Sequence, residues 1–426
     1  MLGASPVAAM PPEASADAEA WTYFDVGWDS GLTYEYRRRL PDLTSLLEAE
    51  RESGAEAQQA AEPRRRFHLK GRVGGSLYLD GGVLRGSALD DGLRGAIRRA
   101  RLYTSGEIGY WLTTEYKFEF SLEQKRIFLN DFYLRWRPER WVDTVKLGYF
   151  DPPMSLQALG SSSARGLMES AAPVAAFAPG FRAGIQAAGI VEDPSLTWGL
   201  DVCSIGQVQA VGNASSDPLR IVGRLVWRPW GPAPDDAPLL HLGASGSFAF
   251  AADGSIQYRS RPESFLAPYL VDTDDIEGHA MVLAAEAAWR DGPASLQGEL
   301  FYSLLNESGS HRRHFWGVYA QAGWVITGES RGYDAAGAVF TRVRPKADFA
   351  PWRGGWGAVE LTARASWVDL SDGAIEGGRM FTANVGPAWT LNRWVRVLAG
   401  YVFARVRDQP NEGSAHIAQL RLEFVL

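Results

Sequence analysis

The stretch from Phe67 to Asp80 alternates between apolar and polar side chains, and this pattern limits the folds open to the chain. Phe67, Leu69, Val73, Leu77 and Leu79 form one set, and His68, Lys70, Arg72, Ser76, Tyr78 and Asp80 form the other. Successive side chains of a β-strand point to opposite faces. The stretch is therefore predicted to be a strand with one apolar face and one polar, largely basic face. The same pattern recurs as far as Leu426.

The composition narrows the class of protein that such strands can build. The chain contains 16 Trp, 15 Tyr and 46 Gly, and Trp and Tyr favour membrane interfaces whereas Gly favours turns. The most apolar stretch, 171–178, is shorter than the ~18 residues of a membrane helix and contains a proline. The chain is therefore either soluble or crosses a membrane as strands.

Charge and motifs argue against several other functions. The net charge of −7, with basic residues dispersed along the chain, argues against nucleic-acid binding. The single cysteine, Cys203, excludes an internal disulfide framework. The segment 243–246 lacks the full pattern of a nucleophile elbow, and there is neither an H-E-x-x-H motif nor a P-loop. His311 and His314 are predicted to lie in an exposed loop. We expect no catalytic residue, no cofactor and no metal site.

The N-terminal region differs from the rest of the chain. Residues 1–20 are interpreted as the remnant of a secretory signal, with an A-x-A-like site at 14–16, or as disordered chain. Residues 21–66 form a separate extension, in which 21–36 is strand-like and 41–62 has helical spacing. A partly disordered linker is the alternative for this extension. Residues 67–426 form the barrel domain.

About sixteen strand candidates follow from residue 67, an even number that is typical of a bacterial barrel. They are 67–80, 96–108, 110–121, 127–137, 142–149, 181–192, 195–206, 219–229, 239–252, 279–290, 293–306, 315–327, 356–369, 379–391, 394–408 and 415–426.

Connection lengths and tryptophans favour a membrane barrel over a soluble β-sandwich. The connections 150–180, 252–278 and 328–355 are long and others are tight, and outer-membrane barrels place long loops at one end and short turns at the other. A sandwich would also alternate polar and apolar residues. However, many strands reach the ~10 residues of a tilted membrane strand. Tryptophans near strand ends fit an aromatic girdle: Trp289, Trp316, Trp324, Trp367 and Trp394.

Several segments, in order, carry a resemblance to a known family. They are Leu69–Arg72, Ile97–Leu102, Leu147–Phe150, Ser161–Ser163, Tyr258–Pro262, Tyr319–Gln321, Thr327–Tyr333 and Arg342–Pro345. On these segments the chain resembles the phosphate-selective porin O and P family. The resemblance implies a 16-stranded antiparallel transmembrane β-barrel in the outer membrane that assembles as a homotrimer. It also implies a basic lumen that passes anions.

The resemblance also assigns residues to the narrowest part of the pore. Arg72 matches the constriction arginine of the first strand. Arg98 and Arg99 match the arginine pair that follows, and Asp131 matches an acidic residue beside them. The chain departs from the family where a constriction lysine is expected, because Ala158 occupies that position.

A second set of basic residues is assigned to the vestibule. Arg259 and Arg261 match the start of an arginine ladder that guides anions inward. The ladder is broken here, since residues 263–265 are Glu, Ser and Phe where arginines would follow. Phosphate selectivity is therefore less strongly implied than the channel itself.

The alternation of polar and apolar residues supports a basic lumen independently of the family resemblance. Lys70 and Arg72 share a face of one strand, as Arg99 and Arg101 share a face of the next. A charge on the lipid side costs ~2–4 kcal/mol at mid-depth, so these faces must line the lumen. Strict alternation puts Arg98 on the opposite face, so it needs a β-bulge to join them. Alternatively, the arginines only pair with lumen acids such as Asp131, Glu107, Glu115 and Glu119 and stiffen the wall.

The sequence thus predicts a passive outer-membrane diffusion channel that favours phosphate or similar anions. The connection 150–180 is expected to fold inward and narrow the lumen. The expected partners are small anions, outer-membrane lipid and two further copies of the chain, with no nucleic acid. The alternatives are a general, weakly selective porin, a barrel-embedded outer-membrane hydrolase, and a soluble β-sandwich that binds carbohydrate.

Overall fold

The computed structural model describes residues 22–26, 68–109, 113–123, 126–138, 142–191, 195–204, 219–230, 237–250, 255–307, 311–410 and 412–426. The predicted signal remnant 1–20 and the helix-like stretch 41–62 lie outside the described residues. Only Thr22–Val26 of the strand-like stretch 21–36 is described, and it is a strand.

Sixteen antiparallel strands form one closed barrel, as predicted. They are β1 His68–Arg85, β2 Gly92–Gly109, β3 Thr114–Glu123, β4 Arg126–Trp136, β5 Thr144–Phe150, β6 Arg182–Val191, β7 Leu196–Ser204, β8 Leu219–Trp227, β9 Leu239–Phe250, β10 Ile276–Asp291, β11 Ala294–Glu307, β12 Arg312–Val325, β13 Ala358–Asp372, β14 Ile375–Thr390, β15 Val395–Arg407 and β16 Gly413–Val425. Each strand pairs with the next, and the pairing of β1 with β16 closes the barrel.

The ends of two predicted strands differ from the structure. β1 and β2 extend into 81–95, where the sequence shows no alternation because glycines carry no side chain to reveal the face. Gly81 lies opposite Gly95 in the ladder between these strands. In addition, β12 starts at Arg312, so the prediction that His314 lies in a loop is wrong.

The two faces of the wall have opposite chemistry. Leu77, Phe132 and Trp227 are 37%, 45% and 45% exposed, so they lie on the outer surface. Arg290 and Arg421 are buried on the inner face. Burying charge on the inner face removes it from lipid, where it would cost ~2–4 kcal/mol per residue at mid-depth. The predicted orientation of the apolar and basic faces is confirmed.

The N-terminal strand Thr22–Val26 and the last residue, Leu426, lie at the same end of the barrel. The N-terminal strand Thr22–Val26 pairs with Leu69–Val73 of β1, below the part of β1 that pairs with β16. The last residue, Leu426, donates its backbone N–H to Gly75 O at 2.8 Å. The N-terminal strand therefore continues the wall where β16 ends.

Three long connections lie between strands: 151–181, 251–275 and 326–357. Because the strands are antiparallel, connections after odd-numbered strands lie at one end of the barrel and those after even-numbered strands at the other. The first two follow β5 and β9, whereas 326–357 follows β12 and lies at the end with Leu426. The expectation that the long loops share one end is therefore wrong for the third.

These connections contain short regular elements. Helix α1 spans Leu156–Leu159 and helix α2 spans Ala172–Phe177, with 3-10 turns at Ser162–Ala164 and Pro351–Arg353. Two-residue strands occur at Ser255–Ile256, Arg259–Ser260, Val271–Asp272, Tyr333–Asp334 and Val339–Phe340. Among the described residues, no helix has the length and apolar character needed to cross a membrane.

Part of each of the three connections packs inside the barrel. Phe177 of α2 lies against Tyr258 of the second connection and against Phe301 of the wall, with ring centroids 5.1 and 6.0 Å apart. Leu156 of α1 packs in one buried cluster with Phe340 of the third connection. The prediction that the connection 150–180 folds inward is thus confirmed, and the lumen is narrowed from both ends.

Candidate functional site: a basic channel along the first strands

A cavity of about 900 Å³ runs between the wall formed by β1–β4 and the 151–181 connection. Its charged lining comprises six basic and three acidic side chains, which leaves an excess of three positive charges. The basic residues, which we call the basic strip, are Lys70, Arg72, Arg99, Arg101, Lys117 and Arg135, and the acids are Glu107, Glu115 and Glu119. Ser161, Ser162 and Ser163 face the basic strip from the connection.

A β-bulge turns both members of the predicted arginine pair away from lipid. Tyr78 of β1 lies opposite Arg99, but the next residue, Leu79, lies opposite Ile97. Arg98 is therefore the extra residue of a bulge, and both it and Arg99 avoid the outer face. The sequence pattern predicts that a β-bulge is needed for Arg98 to share the lumen face with Arg99, and this is that bulge.

Arg72 and Arg99 lie at different heights in the channel. Arg99 is opposite Tyr78 in β1, so it is displaced six residues along that strand from Arg72. At ~3.3 Å per residue, this amounts to roughly 20 Å along the strand. Arg72 Nε donates to Ser105 Oγ at 2.9 Å, and in the strand ladder Ser105 lies opposite Lys117. The basic strip is therefore a track along the channel and not a single ring.

Asp131 belongs to a network of charges two strands away from Arg99. A second register shift between β3 and β4 places Asn130 and Asp131 together opposite Glu119. Asp131 pairs with Lys117, which also lies 3.2 Å from Glu119, and Arg101 Nη1 lies 2.7 Å from Glu119. Asp131 therefore compensates Lys117 directly and is not a partner of Arg98 or Arg99.

The 151–181 connection touches the wall beside Arg99. Arg99 donates to Ser162 Oγ, and Tyr78 Oη lies 3.4 Å from the same oxygen. Arg99 also stacks over the ring of Tyr78 at 5.2 Å. This contact gives the channel a polar boundary of hydroxyl groups opposite the basic strip.

Arginines of β15, β16 and the 326–357 connection hold this connection by its backbone. Arg396 donates to Ser163 O at 2.8 Å and to Arg165 O at 2.6 Å. Arg421 donates to Met168 O at 2.5 Å, and Arg331 donates to Ala164 O at 2.7 Å. These arginines use their hydrogen bonds to position the connection across the lumen.

Ala158 lies in α1, whose first turn is fixed by an acidic wall residue. Glu299 accepts hydrogen bonds from the backbone N–H groups of Leu156 and Gln157, both at 3.0 Å. Tyr319 Oη donates to the same carboxylate at 2.8 Å. The methyl group at position 158 adds no charge to the channel, so the basic strip must provide the positive charge.

Arg98 is neutralised by a buried carboxylate. Its Nε and Nη2 atoms lie 2.9 and 3.1 Å from the two oxygens of Glu169, and Arg421 contacts the same carboxylate at 2.5 Å. Arg421 also pairs with Asp80 at 2.7 Å. Burial alone would raise the pKa of Glu169, but the two guanidinium groups hold that pKa well below its usual range. Arg98 therefore acts as a positioning residue.

Asp151 stands at the start of the same connection. Burial, and next the negative charge of Asp131, raise the pKa of the Asp151 carboxyl to about 7, against the opposing effect of Arg101 and two other arginines. Its charge therefore changes near neutral pH, close to one end of the ion-pair network of the channel.

The predicted vestibule arginines lie on the short hairpin of the 251–275 connection, interleaved with aromatic rings. The Arg259 and Arg261 guanidinium groups lie 4.3 and 4.4 Å from the centre of the Tyr269 ring. Arg261 also lies 5.4 Å from the Phe265 ring, which Arg98 approaches to 4.4 Å from the wall. An alternating series of guanidinium groups and rings thus leads from Arg259 to the bulge.

Glu263, which interrupts the expected ladder, is buried and not a free charge. It has φ 52°, and its carboxylate accepts from Ala172 N at 3.2 Å and from Thr382 Oγ1 at 3.0 Å. Arg364 and Asn384 also donate to it, at 2.9 and 3.1 Å. Its negative charge is therefore paired with Arg364, and its hydrogen bonds hold two connections to the wall.

The stripe Arg220, Arg224 and Arg228 serves mainly to hold the 326–357 connection. Arg224 donates to Gly337 O at 3.0 Å and to Ala338 O at 2.9 Å, and Arg228 donates to Ala335 O at 2.9 Å. Arg224 also pairs with Glu286 at 2.7 Å. Arg220 instead donates to Ser247 of the neighbouring strand at 3.0 Å.

Sequence reasoning missed the roles of Glu169, Arg396 and Arg421. Alternation correctly places Arg421 on the polar face, but no sequence pattern indicates which loop carbonyl it binds. Lys117 could have been found, because it alternates in step with Glu115 and Glu119. Across the described residues, no group of three or more His, Cys, Asp or Glu side chains is arranged to hold a metal ion.

Proteins of two bacteria are similar to the chain in sequence. An uncharacterized protein of Caulobacter vibrioides is 29% identical over 296 residues, which are 66% of this chain and 57% of the relative. Porin O of Pseudomonas aeruginosa is 28% identical over 153 residues, which are 34% of this chain and 35% of the relative. The matched parts thus span less than two thirds of either relative.

The structural neighbours share the fold at low identity. An anion-selective porin from Comamonas acidovorans aligns with a TM-score of 0.54 at 12% identity, covering 84% of this chain and 100% of the porin. OmpT, an outer-membrane protein of Vibrio cholerae solved in trimer form, has a TM-score of 0.51 at 11% identity. The alignment covers 84% of this chain and 99% of OmpT.

The family profile described as phosphate-selective porin O and P matches residues 69–426, which is nearly the whole barrel. The match begins one residue after the start of β1 and ends at the last residue of the chain. The chain therefore belongs to the phosphate-selective porin O and P family and is an outer-membrane β-barrel porin.

Proposed function

We propose that this porin is a passive diffusion channel that favours phosphate or similar small anions. The observation that carries the proposal is the excess of basic over acidic side chains in the lining of the cavity along β1–β4. Rings and tracks of Arg and Lys favour anions in pores because they replace part of the hydration of the ion. The match to a family named for phosphate selectivity agrees with this proposal.

Within the channel, we assign ion contact to Arg72 and Arg99 and supporting roles to Arg98 and Asp131. Arg72 and Arg99 line the cavity, whereas Arg98 is bound by Glu169 and Asp131 is bound by Lys117. Arginine suits oxyanions because its planar fork can donate two parallel hydrogen bonds to phosphate or carboxylate. Arg259 and Arg261 would attract anions at the vestibule.

A general porin with little charge preference is the second candidate, because several basic residues are compensated. Glu119 contacts both Arg101 and Lys117, and Glu115 contacts Arg135. A hydrolase has less support, since no histidine occurs among the described residues that line the cavity beside Ser161–Ser163. We also propose a homotrimeric assembly in lipid, which is supported by the family and by a neighbour solved in trimer form.

Competition between anions in planar bilayers tests this function. We expect added potassium phosphate to reduce the chloride current through single channels. An uncharged buffer added at the same concentration is the control and should leave the current unchanged. Phosphate that leaves the chloride current unchanged would favour the general porin.

A further inference from the structure

The 326–357 connection ends in a turn on the outside of the barrel wall. We define the tryptophan turn as residues 349–356. It is closed by backbone hydrogen bonds of 2.9 and 3.1 Å between Ala350 and Gly355, around the 3-10 turn Pro351–Arg353. Phe349 N donates to Leu391 O at 2.7 Å, which ties the turn to the connection between β14 and β15.

The tryptophan turn packs against an outward-facing residue of the wall. Trp389 shares the face of Val385, which is exposed on the outer surface of β14. Trp389 Nε1 donates to Trp356 O at 2.8 Å, and the Phe349 ring meets the Trp389 ring edge-on at 5.0 Å. The turn therefore lies directly beside the surface that contacts the membrane.

Two large rings of this turn are left uncovered. Trp352 is 79% exposed and Trp356 is 61% exposed. Two Trp residues of the wall lie at the same level as this turn. Trp324 and Trp389 are both near the ends of their strands at this end of the barrel. Such rings are stable at a membrane–water interface, where their apolar body meets lipid and their N–H meets water.

The surroundings of these rings are basic. Among residues 342–356 and 391–394, four basic residues and one acid, Asp348, are exposed. The basic residues are Arg344, Lys346, Arg353 and Arg393. The Arg393 guanidinium also stacks over the Trp394 ring at 4.3 Å. Basic groups beside interfacial aromatic rings attract anionic lipid headgroups.

We propose that the tryptophan turn binds the headgroups of anionic phospholipids at the end of the barrel that carries Leu426. Trp352 and Trp356 enter the interface, and Arg353 contacts lipid phosphate from the same turn. Apart from 326–357 itself, each connection at this end has eleven residues or fewer, whereas the opposite end carries 151–181 and 251–275. Shorter connections mark the periplasmic end of an outer-membrane barrel, so the bound lipid belongs to the inner leaflet of the outer membrane. The proposal rests on the membrane placement of the barrel and not on the ion preference of the pore.

Lipid selectivity in reconstituted membranes tests the proposal. Spin-labelled phosphatidylglycerol and phosphatidylcholine report relative association constants for the full chain. The double variant Trp352→Ala/Arg353→Gln is expected to lose about fivefold in preference for phosphatidylglycerol, equivalent to roughly 1 kcal/mol for one interfacial arginine. The matched variant Trp316→Ala/Arg312→Gln, an exposed pair at the opposite end, should keep the preference. Equal preference in all three proteins would overturn the proposal.

A depth measurement gives a second, independent readout. A spin label on Trp352→Cys, in a Cys203→Ser background, should be located at headgroup depth by collision with oxygen and with a water-soluble nickel complex. A label in bulk water would overturn the proposal and leave the turn as a surface for a soluble partner. Ion selectivity of the channel should not change in either variant, which separates this site from the pore.

Discussion

Glu263 and Arg364 form a buried ion pair at the point where two lumen connections meet the wall. Arg364 Nη2 lies 2.5 Å from Glu263 Oε2, and neither side chain is exposed. Glu263 Oε1 accepts from Ser366 Oγ at 2.6 Å and from the backbone N–H of Ala172. The acidic residue that breaks the expected arginine ladder thus fastens the 251–275 connection to the 151–181 connection.

Replacing Glu263 by Gln should destabilise the barrel by about 3–5 kcal/mol, because it leaves the buried Arg364 without a counter-charge. The measurement is the midpoint of urea unfolding in detergent, followed by the mobility shift of the folded barrel. Glu277→Gln, which alters an exposed acid at the start of β10, is the control. A Glu263→Gln midpoint equal to that of wild type would show that the ion pair does not hold the connections.

The double variant Arg72→Ala/Arg99→Ala should reduce the anion preference, because it removes two of the six basic groups that line the channel. Permeability ratios for chloride over potassium measure the change. Arg85→Ala, at the exposed end of β1, provides a control in which a positive charge is removed outside the cavity lining. Unchanged ratios in the double variant would refute the roles assigned to these two arginines.

Glu169→Gln should increase the anion preference. The carboxylate compensates Arg98 and Arg421 together, whereas Asp80 compensates only Arg421. Its removal therefore takes away a negative charge that lies against Arg98 beside the channel. The same permeability ratio reports the effect, with Glu376→Gln, which alters an exposed acid at the start of β14, as the control. A lower anion preference would mean that the connection moves when Glu169 is lost.

The anion preference should fall as pH rises through about 7, the value to which the pKa of Asp151 is raised. Below that pH the carboxyl is neutral, and above it the carboxylate adds negative charge near Arg101 and Asp131. Since the folded-state pKa lies above the unfolded-state value, the stability contribution of this group also declines as pH rises toward 7. Reversal potentials at about pH 6 and about pH 8 measure the change. Asp151→Asn should remove the dependence, and a dependence that persists in it must come from another group.

Alternation predicted the barrel because one rule controls both the fold and the orientation of its side chains. A strand that divides lipid from water must alternate, so Leu77 and Tyr78 reveal their faces from the sequence alone. The rule failed where glycines hide it, as at Gly81 and Gly95, and at the start of β12, where His314 is predicted to lie in a loop. It also indicated that Arg98 needs a β-bulge to face the lumen. The position of that bulge is seen only in the pairing of β1 with β2.

The lumen contacts could not be predicted in the same way. Arg364 and Glu263 are about one hundred residues apart in sequence, and their pairing depends on how the 251–275 connection turns back into the barrel. Likewise, Arg396 and Arg421 resemble pore-lining arginines in sequence but donate to loop carbonyls. Which arginines face ions is therefore decided by the paths of the connections, and these paths depend on long-range packing.

The central claim is that the excess of basic over acidic side chains along β1–β4 makes this porin prefer anions. Its most direct test is the reversal potential of the wild-type channel in a planar bilayer that separates two concentrations of potassium chloride. We predict a reversal potential of the sign set by chloride, and we predict that the anion still sets the sign when phosphate replaces chloride on both sides. A reversal potential of the sign set by potassium would contradict the claim.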